Sequence, residues 1–174
     1  MKKILYILFC FFQLVFSINL NAQWTQCSGP FGGNVKCIMG DNLNLFAGTE
    51  GGGVFLSTNN GSTWTSVNNG ITNLYITCMA MQGGNLFVGT HNGGVFFSNN
   101  NGSSWTAVNN GLVGLYISSI ITKGSDTFVS TTSGIYKSTN NGLNWSLSNI
   151  GLPSIFIGRA LATDGTDIYL GLES

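Results

Sequence analysis

Six carboxylates, one histidine, one arginine and four cysteines are the residues of this chain best equipped for chemistry. Paired carboxylates can hydrolyse glycosides, one as acid and the other as base or nucleophile. The candidates are Asp41, Glu50, Asp126, Asp164, Asp167 and Glu173, and most have a structural reading. Asp126 and Asp167 open strand-like segments beside a turn, Asp164 precedes Gly165 as a turn former, and Asp41 takes the equivalent turn earlier in the chain. His91 is the lone histidine, so no Ser-His-Asp relay is favoured over a solvated loop histidine. Arg159 is the one arginine; a cluster of bidentate guanidinium groups needs several, and Lys lacks the fork. Cys27, Cys37 and Cys78 lie far apart without the paired CxxC spacing of a zinc site, so neither metal nor cofactor is expected. Three thiols cannot all pair within one chain, and buried free thiols are the preferred reading.

The elements that position these residues begin after the N-terminus. Met1-Lys2-Lys3 is a positive n-region, Ile4 to Phe16 is apolar except for Gln13, and Leu20-Asn21-Ala22 ends in a small residue suited to cleavage. Residues 1–22 therefore read as a secretory signal peptide, Cys10 leaving with it, and the chain as secreted or held in the cell envelope. A thirteen-residue apolar run is too short to span a bilayer, which takes about 20 residues. No later stretch is longer, so no transmembrane segment is expected after cleavage. Loss of Lys2 and Lys3 leaves four of the six basic residues against six acidic ones, a weakly negative balance that excludes a nucleic-acid partner. Hydrophobic residues make up 43% of the chain and charged ones 7%, against about 25% charged in an average domain, which excludes disorder.

Residues 23–174 carry an internal repeat. Asn44-Leu45-Phe46-Ala47-Gly48-Thr49 returns 41 residues later as Asn85-Leu86-Phe87-Val88-Gly89-Thr90, then as Asp126 to Thr131 and Asp167 to Leu172. A second block, Gly53 to Ser57, Gly94 to Ser98 and Gly134 to Ser138, leads each time into Asn-Asn-Gly and a tryptophan. Repeat units of about 24–64, 64–105, 105–145 and 145–174 follow, with Trp24 opening the series. Periods near 40 residues holding several short strands indicate four-stranded propeller blades, so the expected fold is all-β, a β-propeller. In the second unit the strands are placed at Tyr75 to Met81, Leu86 to Thr90, Gly94 to Ser98 and Ser104 to Val108. The Asn-Gly pairs supply the positive φ of the hairpins.

Those hairpins carry a family resemblance. Ser57, Asn59, Gly61 and Trp64, then Ser98, Asn100, Gly102 and Trp105, then Ser138, Asn140, Gly142 and Trp145 resemble the Asp-box, the bacterial neuraminidase repeat S-x-D-x-G-x-x-W. Asn replaces the Asp each time, keeping a carbonyl oxygen for backbone N–H groups but losing the charge, which fits a structural turn and argues against a cation site. The resemblance implies that each Trp packs into its blade. Sialidases of the family bind a carboxylated sugar with several arginines and use a Tyr, a Glu and an Asp, a set that one Arg159 does not match.

The resemblance also implies that loops joining the second to the third strand, and the fourth strand to the next blade, share one face around the axis. The first slot reads Glu50, His91, Thr132 and Glu173; the other holds Tyr75, Tyr116 and Phe156. Aromatic rings there can stack on sugars or anchor a peptide, and packing between blades accounts for the same recurrence. A fourth-type strand at Trp24, three full sets and two final strands make fifteen, about 3.75 blades, an incomplete arc able to self-associate through its edges. The expected function is a non-catalytic module binding a protein or surface glycan. The alternative is a truncated piece of an Asp-box glycoside hydrolase, sialidase-like or glucanase-like, whose catalytic residues lie in other blades.

Overall fold

The computed structural model describes residues 27–41, 43–152 and 158–173. The signal-peptide reading of residues 1–22, the strand around Trp24 and the candidate Phe156 lie outside the described residues. Every regular element described is a strand. The first blade contains β1 (Asn34–Gly40), β2 (Leu45–Glu50), β3 (Gly53–Ser57) and β4 (Thr65–Ser66). The second contains β5 (Ile76–Gln82), β6 (Asn85–Thr90), β7 (Val95–Ser98) and β8 (Thr106–Ala107). The third contains β9 (Ile117–Lys123), β10 (Asp126–Thr131), β11 (Gly134–Ser138) and β12 (Ser146–Leu147). The fourth is represented by β13 (Gly158–Thr163) and β14 (Ile168–Leu172). Each sheet is an antiparallel meander in chain order. The fourth strands are shorter than the sequence places them, two residues in place of Ser104 to Val108, and both residues are exposed. Brevity at the edge limits edge-to-edge pairing.

The second strands of the first three blades, β2, β6 and β10, are buried along most of their length on both faces. That explains runs such as Leu86-Phe87-Val88 in place of strict alternation. Register position decides burial in the first strands. Ile76 and Ile117 are 1% and 0% exposed where each blade packs on the one before it, whereas Val35, their equivalent in the first blade, is 48% exposed.

The Asn-Gly hairpins form as the spacing requires. Asn60, Asn101 and Asn141 have φ of 55°, 54° and 57°, and the glycine after each is also positive, the signature of a primed two-residue turn. Ser98 Oγ donates to Asn100 Oδ1 at 2.8 Å and accepts from Gly102 N–H at 3.0 Å. Asn100 Oδ1 also accepts from Ser104 N–H at 3.0 Å, and Asn100 Nδ2 donates to Ser104 Oγ at 2.8 Å. Asparagine therefore performs the carbonyl role expected of it and adds a donor that aspartate lacks.

The tryptophans behave differently from the expectation that they pack within their own blades. Trp105 Nε1 donates to Val67 O at 2.8 Å and Trp145 Nε1 to Val108 O at 2.7 Å, so each ring fills the slot between its blade and the preceding one. Trp64 is only half-buried, and its buried Nε1 has no partner among the described residues.

A further recurring residue escaped the sequence pattern. Asn68 Oδ1 accepts from Val54 N–H at 2.7 Å while Asn68 Nδ2 donates to Gly52 O at 2.9 Å, and Asn109 repeats both bonds with Val95 and Gly93. Asn149 accepts equivalently from Ile135 N–H. These asparagines clamp the start of each third strand to the end of the fourth.

Cys37 and Cys78 are equivalent, half-buried thiols outside any disulfide, each against the glycine of its second strand, Gly48 or Gly89. Burial pushes Cys37 up to about 11 and Cys78 to about 12. Because only the thiolate attacks, native Cys37 and Cys78 in a Cys27→Ser background should react with a disulfide reagent at pH 8 at least about 100-fold more slowly than in urea. Equal rates would show that these thiols are accessible. A thiol pKa raised by folding stabilises the fold below the ordinary value near 9.0 and loses that contribution as pH rises toward 11 and 12, so alkaline melts should fall in this window.

Candidate binding face

The two loop types meet as expected. Leu74 O accepts from Gly51 N–H at 3.1 Å and Gly53 N–H at 3.0 Å, Leu115 O accepts from Gly94 N–H at 3.0 Å, and Tyr75 O accepts from His91 N–H at 2.9 Å. Glu50 and Tyr75 form an antiparallel bridge. The entry segments at Leu74 and Leu115 are thus bonded to the turn of the preceding blade, and the face between them is held by backbone contacts.

Four of the six sequence candidates come together there. Glu50, Tyr75, His91 and Tyr116, with Lys36 and Thr77, line an open depression of about 250 Å3. Tyr75 is 52% exposed, and its ring stands edge-on to His91 at 6.3 Å between centroids. His91 in turn stands at 86° to Tyr116 at 5.0 Å. The result is a row of three rings in which His91 stands edge-on to a tyrosine on either side, a geometry that leaves ring faces for a ligand. Glu173 is not part of this group. It pairs with Arg159 in the fourth blade, and Arg159 lines a separate depression with Tyr116, Ser118 and Thr132.

The first strands supply residues that the sequence reading missed. In all four blades the pairing of first and second strand skips one residue, a β-bulge, and the skipped residues are Lys36, Thr77, Ser118 and Arg159. They are spaced by 41 and border the loop face. A bulge leaves its extra residue outside the ladder and re-aims its side chain. Lys36 reaches Glu50 at 3.4 Å, and Arg159 pairs with Glu173. Between them Thr77 Oγ1 donates to Ile117 O at 2.5 Å and Ser118 Oγ to Gly158 O at 2.7 Å, pinning each first strand to the next. The signal was present in the 41-residue register as a variable polar position, but only the skipped pairing identifies it.

The electrostatic pattern follows from these partners. The first and fourth blades each carry an ion pair on the face, while the second and third present Thr77, His91, Ser118 and Thr132, with no carboxylate, Lys or Arg. Asp41, Asp126 and Asp164 keep structural roles. Asp164 Oδ1 caps a turn through Asp167 N–H and Thr166 N–H at 2.7 and 2.8 Å, and Tyr169 O–H donates to Asp164 Oδ2. Those bonds, the Asp167 amide foremost, hold its carboxyl down at about 2. Asp41 accepts from Leu43 and Asn44 N–H groups, and these lower its pKa. Asp126 pairs with Lys137 at 2.6 Å. Among the described residues no three His, Cys, Asp or Glu side chains are grouped to hold a metal ion.

No protein-family model and no curated protein matches the chain. Solved structures do. The extracellular domain of BT4673 from B. thetaiotaomicron matches with 25% identity and a TM-score of 0.63, over 83% of this chain and 21% of that one. The GH74 xyloglucanase of Xanthomonas campestris matches with 15% identity and a TM-score of 0.66, over 86% of this chain and 29% of the enzyme. YCF48 from Cyanidioschyzon merolae matches with 19% identity and a TM-score of 0.59, over 72% of this chain and 40% of that protein. A YCF48 structure bound to a D1 peptide matches with 18% identity and a TM-score of 0.52, over 61% and 37%. The chain spans about a fifth to two fifths of these proteins' lengths, and the likeness establishes the β-propeller architecture.

Proposed function

We propose that this chain is a non-catalytic, extracytoplasmic binding module that holds a neutral glycan on the face formed by Tyr75, His91 and Tyr116. The edge-on row of three rings over a depression without unpaired charge carries this reading. Sugar rings stack on aromatic faces through C–H groups, and their hydroxyls find acceptors and donors in Thr77, Ser118 and Thr132. Glu50 and Glu173, the two carboxylates of the face, lie in different blades and are each engaged by a base, which leaves neither placed as half of an acid–base pair. A protein segment is the second ligand class for the same face, favoured by the likeness to a propeller that binds a peptide. Membership of a longer glycoside hydrolase is the competing reading, supported by the GH74 likeness.

An array of neutral and acidic glycans and of extended peptides, probed with wild type and with a Tyr75→Ala, Tyr116→Ala double variant, separates these readings. Neutral glycans should be retained by wild type, and the double variant should lose at least about tenfold in affinity while staying folded, because Tyr75 is exposed and Tyr116 only half-buried. Neither a sialoside nor a β-glucan should be hydrolysed. Undiminished binding by the folded variant would remove the face from consideration, and turnover abolished by Glu50→Gln would establish an enzyme.

A further inference from the structure

The loop face holds a second depression that the row of rings does not account for. Glu50, Asn73, Tyr75, His91 and Asn92 line an open space of about 330 Å3 between the first and second blades. Glu50, Tyr75 and His91 also line the depression beside Lys36, Thr77 and Tyr116, so these three side chains are the common wall of the two. First-strand residues border the depression at Lys36 and Thr77, whereas the other is bordered by the segment entering β5 and the turn after β6. Its walls belong to two four-stranded blades packed on each other.

Two amides distinguish it. Asn73 Oδ1 accepts from Tyr75 N–H at 3.0 Å, which leaves Asn73 Nδ2 without a partner among the described residues. Asn92 Nδ2 lies 2.9 Å from His91 Nδ1; an amide nitrogen only donates, so Nδ1 accepts, Nε2 carries the imidazole proton, and Asn92 Oδ1 stays open. Glu50 meets Lys36 through Oε2 and has Oε1 to offer. Neither asparagine serves the repeat. Asn68, Asn109 and Asn149 recur because they bond the backbone of each blade, whereas the positions 41 residues after Asn73 and Asn92 hold Gly114 and Ser133. There a Cβ at Gly114 would lie 2.9 Å from Ser133 Oγ, so turn and entry segment pack directly and present no amide. Gly93 seats Asn73 in the second blade, where a Cβ would meet Asn73 Cβ at 2.8 Å.

We infer that this depression is a second sugar subsite, so that the ligand of the face is an oligosaccharide spanning the wall of Tyr75 and His91; the inference rests on the glycan reading above. One sugar unit stacks in the row of rings. The next lays adjacent hydroxyls against the amides, one accepting from Asn73 Nδ2 and its neighbour donating to Asn92 Oδ1 or Glu50 Oε1. A hydroxyl is donor and acceptor at once, which suits a wall that sets one fixed donor beside two fixed acceptors. Size points the same way. Small-molecule sites run from about 300 to 1,000 Å3. Depressions of about 250 and 330 Å3 lie near the lower limit singly and well within the range as one site.

Glucose, mannose, galactose and xylose, each as monosaccharide and as linear tetrasaccharide, titrated into wild type and an Asn73→Asp, Asn92→Ser variant, test the subsite. Aspartate keeps the acceptor for Tyr75 N–H and loses the donor, and serine is the residue in the turn of the third blade. The tetrasaccharide that wild type binds best should bind at least about tenfold more tightly than its monosaccharide, and the asparagine variant should lose about that factor, as two hydrogen bonds warrant. In wild type the side-chain amide NMR signals of Asn73 and Asn92 should shift with the Kd of the tetrasaccharide, a readout that holds even if the variant unfolds. Binding that Tyr75→Ala, Tyr116→Ala abolishes but the asparagine variant retains, with neither amide shifting, would keep the row of rings as a glycan site and overturn the second subsite. Equal affinity for monosaccharide and tetrasaccharide would overturn it too. Absence of glycan binding, or binding of an extended peptide alone, would remove the glycan reading and this inference with it.

Discussion

Trp105→Ala is expected to destabilise the chain by about 3 to 5 kcal/mol, the range for deleting a buried large aromatic, whereas His91→Ala is expected to change stability by no more than about 0.5. Trp105 is 5% exposed, sits in the first inter-blade slot among Phe46, Val54 and Ile71, and donates its indole N–H to Val67 O. Truncation opens a cavity at the joint between two blades and leaves a backbone carbonyl without its donor, two penalties that add. Trp145→Ala should match it, since its burial is also 5% and its bond to Val108 O repeats the geometry. Trp64→Ala should cost less, because that ring is half-buried and its Nε1 has no hydrogen bond to lose among the described residues. Urea melts of the four variants order these costs. Equal losses for Trp105→Ala and Trp64→Ala would show that blade junctions do not carry the stability assigned to them.

The repeat made most of this fold legible in the sequence. A register of 40 to 41 residues sets the order of the strands, and Asn-Gly pairs set the hairpins, since both features depend on local backbone conformation. What joins one blade to the next was not legible, because those contacts link residues about 40 apart through groups that look unremarkable in sequence. Thr77 reads as an ordinary strand residue until its bulge and its bond to Ile117 O are seen. The candidate face divides in the same way. Tyr75 and Tyr116 recur in one turn-adjacent slot and His91 stands in the variable slot beside it, which made the group visible, while the separation of Glu173 from them follows from its partner Arg159, one bulge away.

The junctions also set a requirement on two glycines that hairpin chemistry does not explain. Gly70 and Gly111 follow the clamp asparagines Asn68 and Asn109 by two residues, with φ of 96° and 90°, a region costly for any side chain. A Cβ at Gly70 would lie closer than 3.0 Å to Trp105 O, and one at Gly111 equally close to Trp145 O, both backbone atoms of the following blade. Gly70→Ala and Gly111→Ala therefore combine conformational strain with a clash that no rotamer change relieves, and each should cost about 3 kcal/mol or more. Gly83→Ala and Gly124→Ala provide the comparison: φ is also positive, 54° and 57°, but a Cβ meets nothing within 4 Å, so only the strain of about 1 kcal/mol remains. The consequence reaches the face, because the segment leaving Gly70 runs through Leu74, whose carbonyl holds Gly51 and Gly53, to Tyr75. Displacing Gly70 from Trp105 should shift Tyr75 and weaken ligand binding in protein that is still folded, whereas Gly83→Ala should leave binding intact. If all four alanine variants melt together, the close approach of blade to blade at Gly70 and Gly111 does not limit the fold, and the link from junction to binding face fails with it.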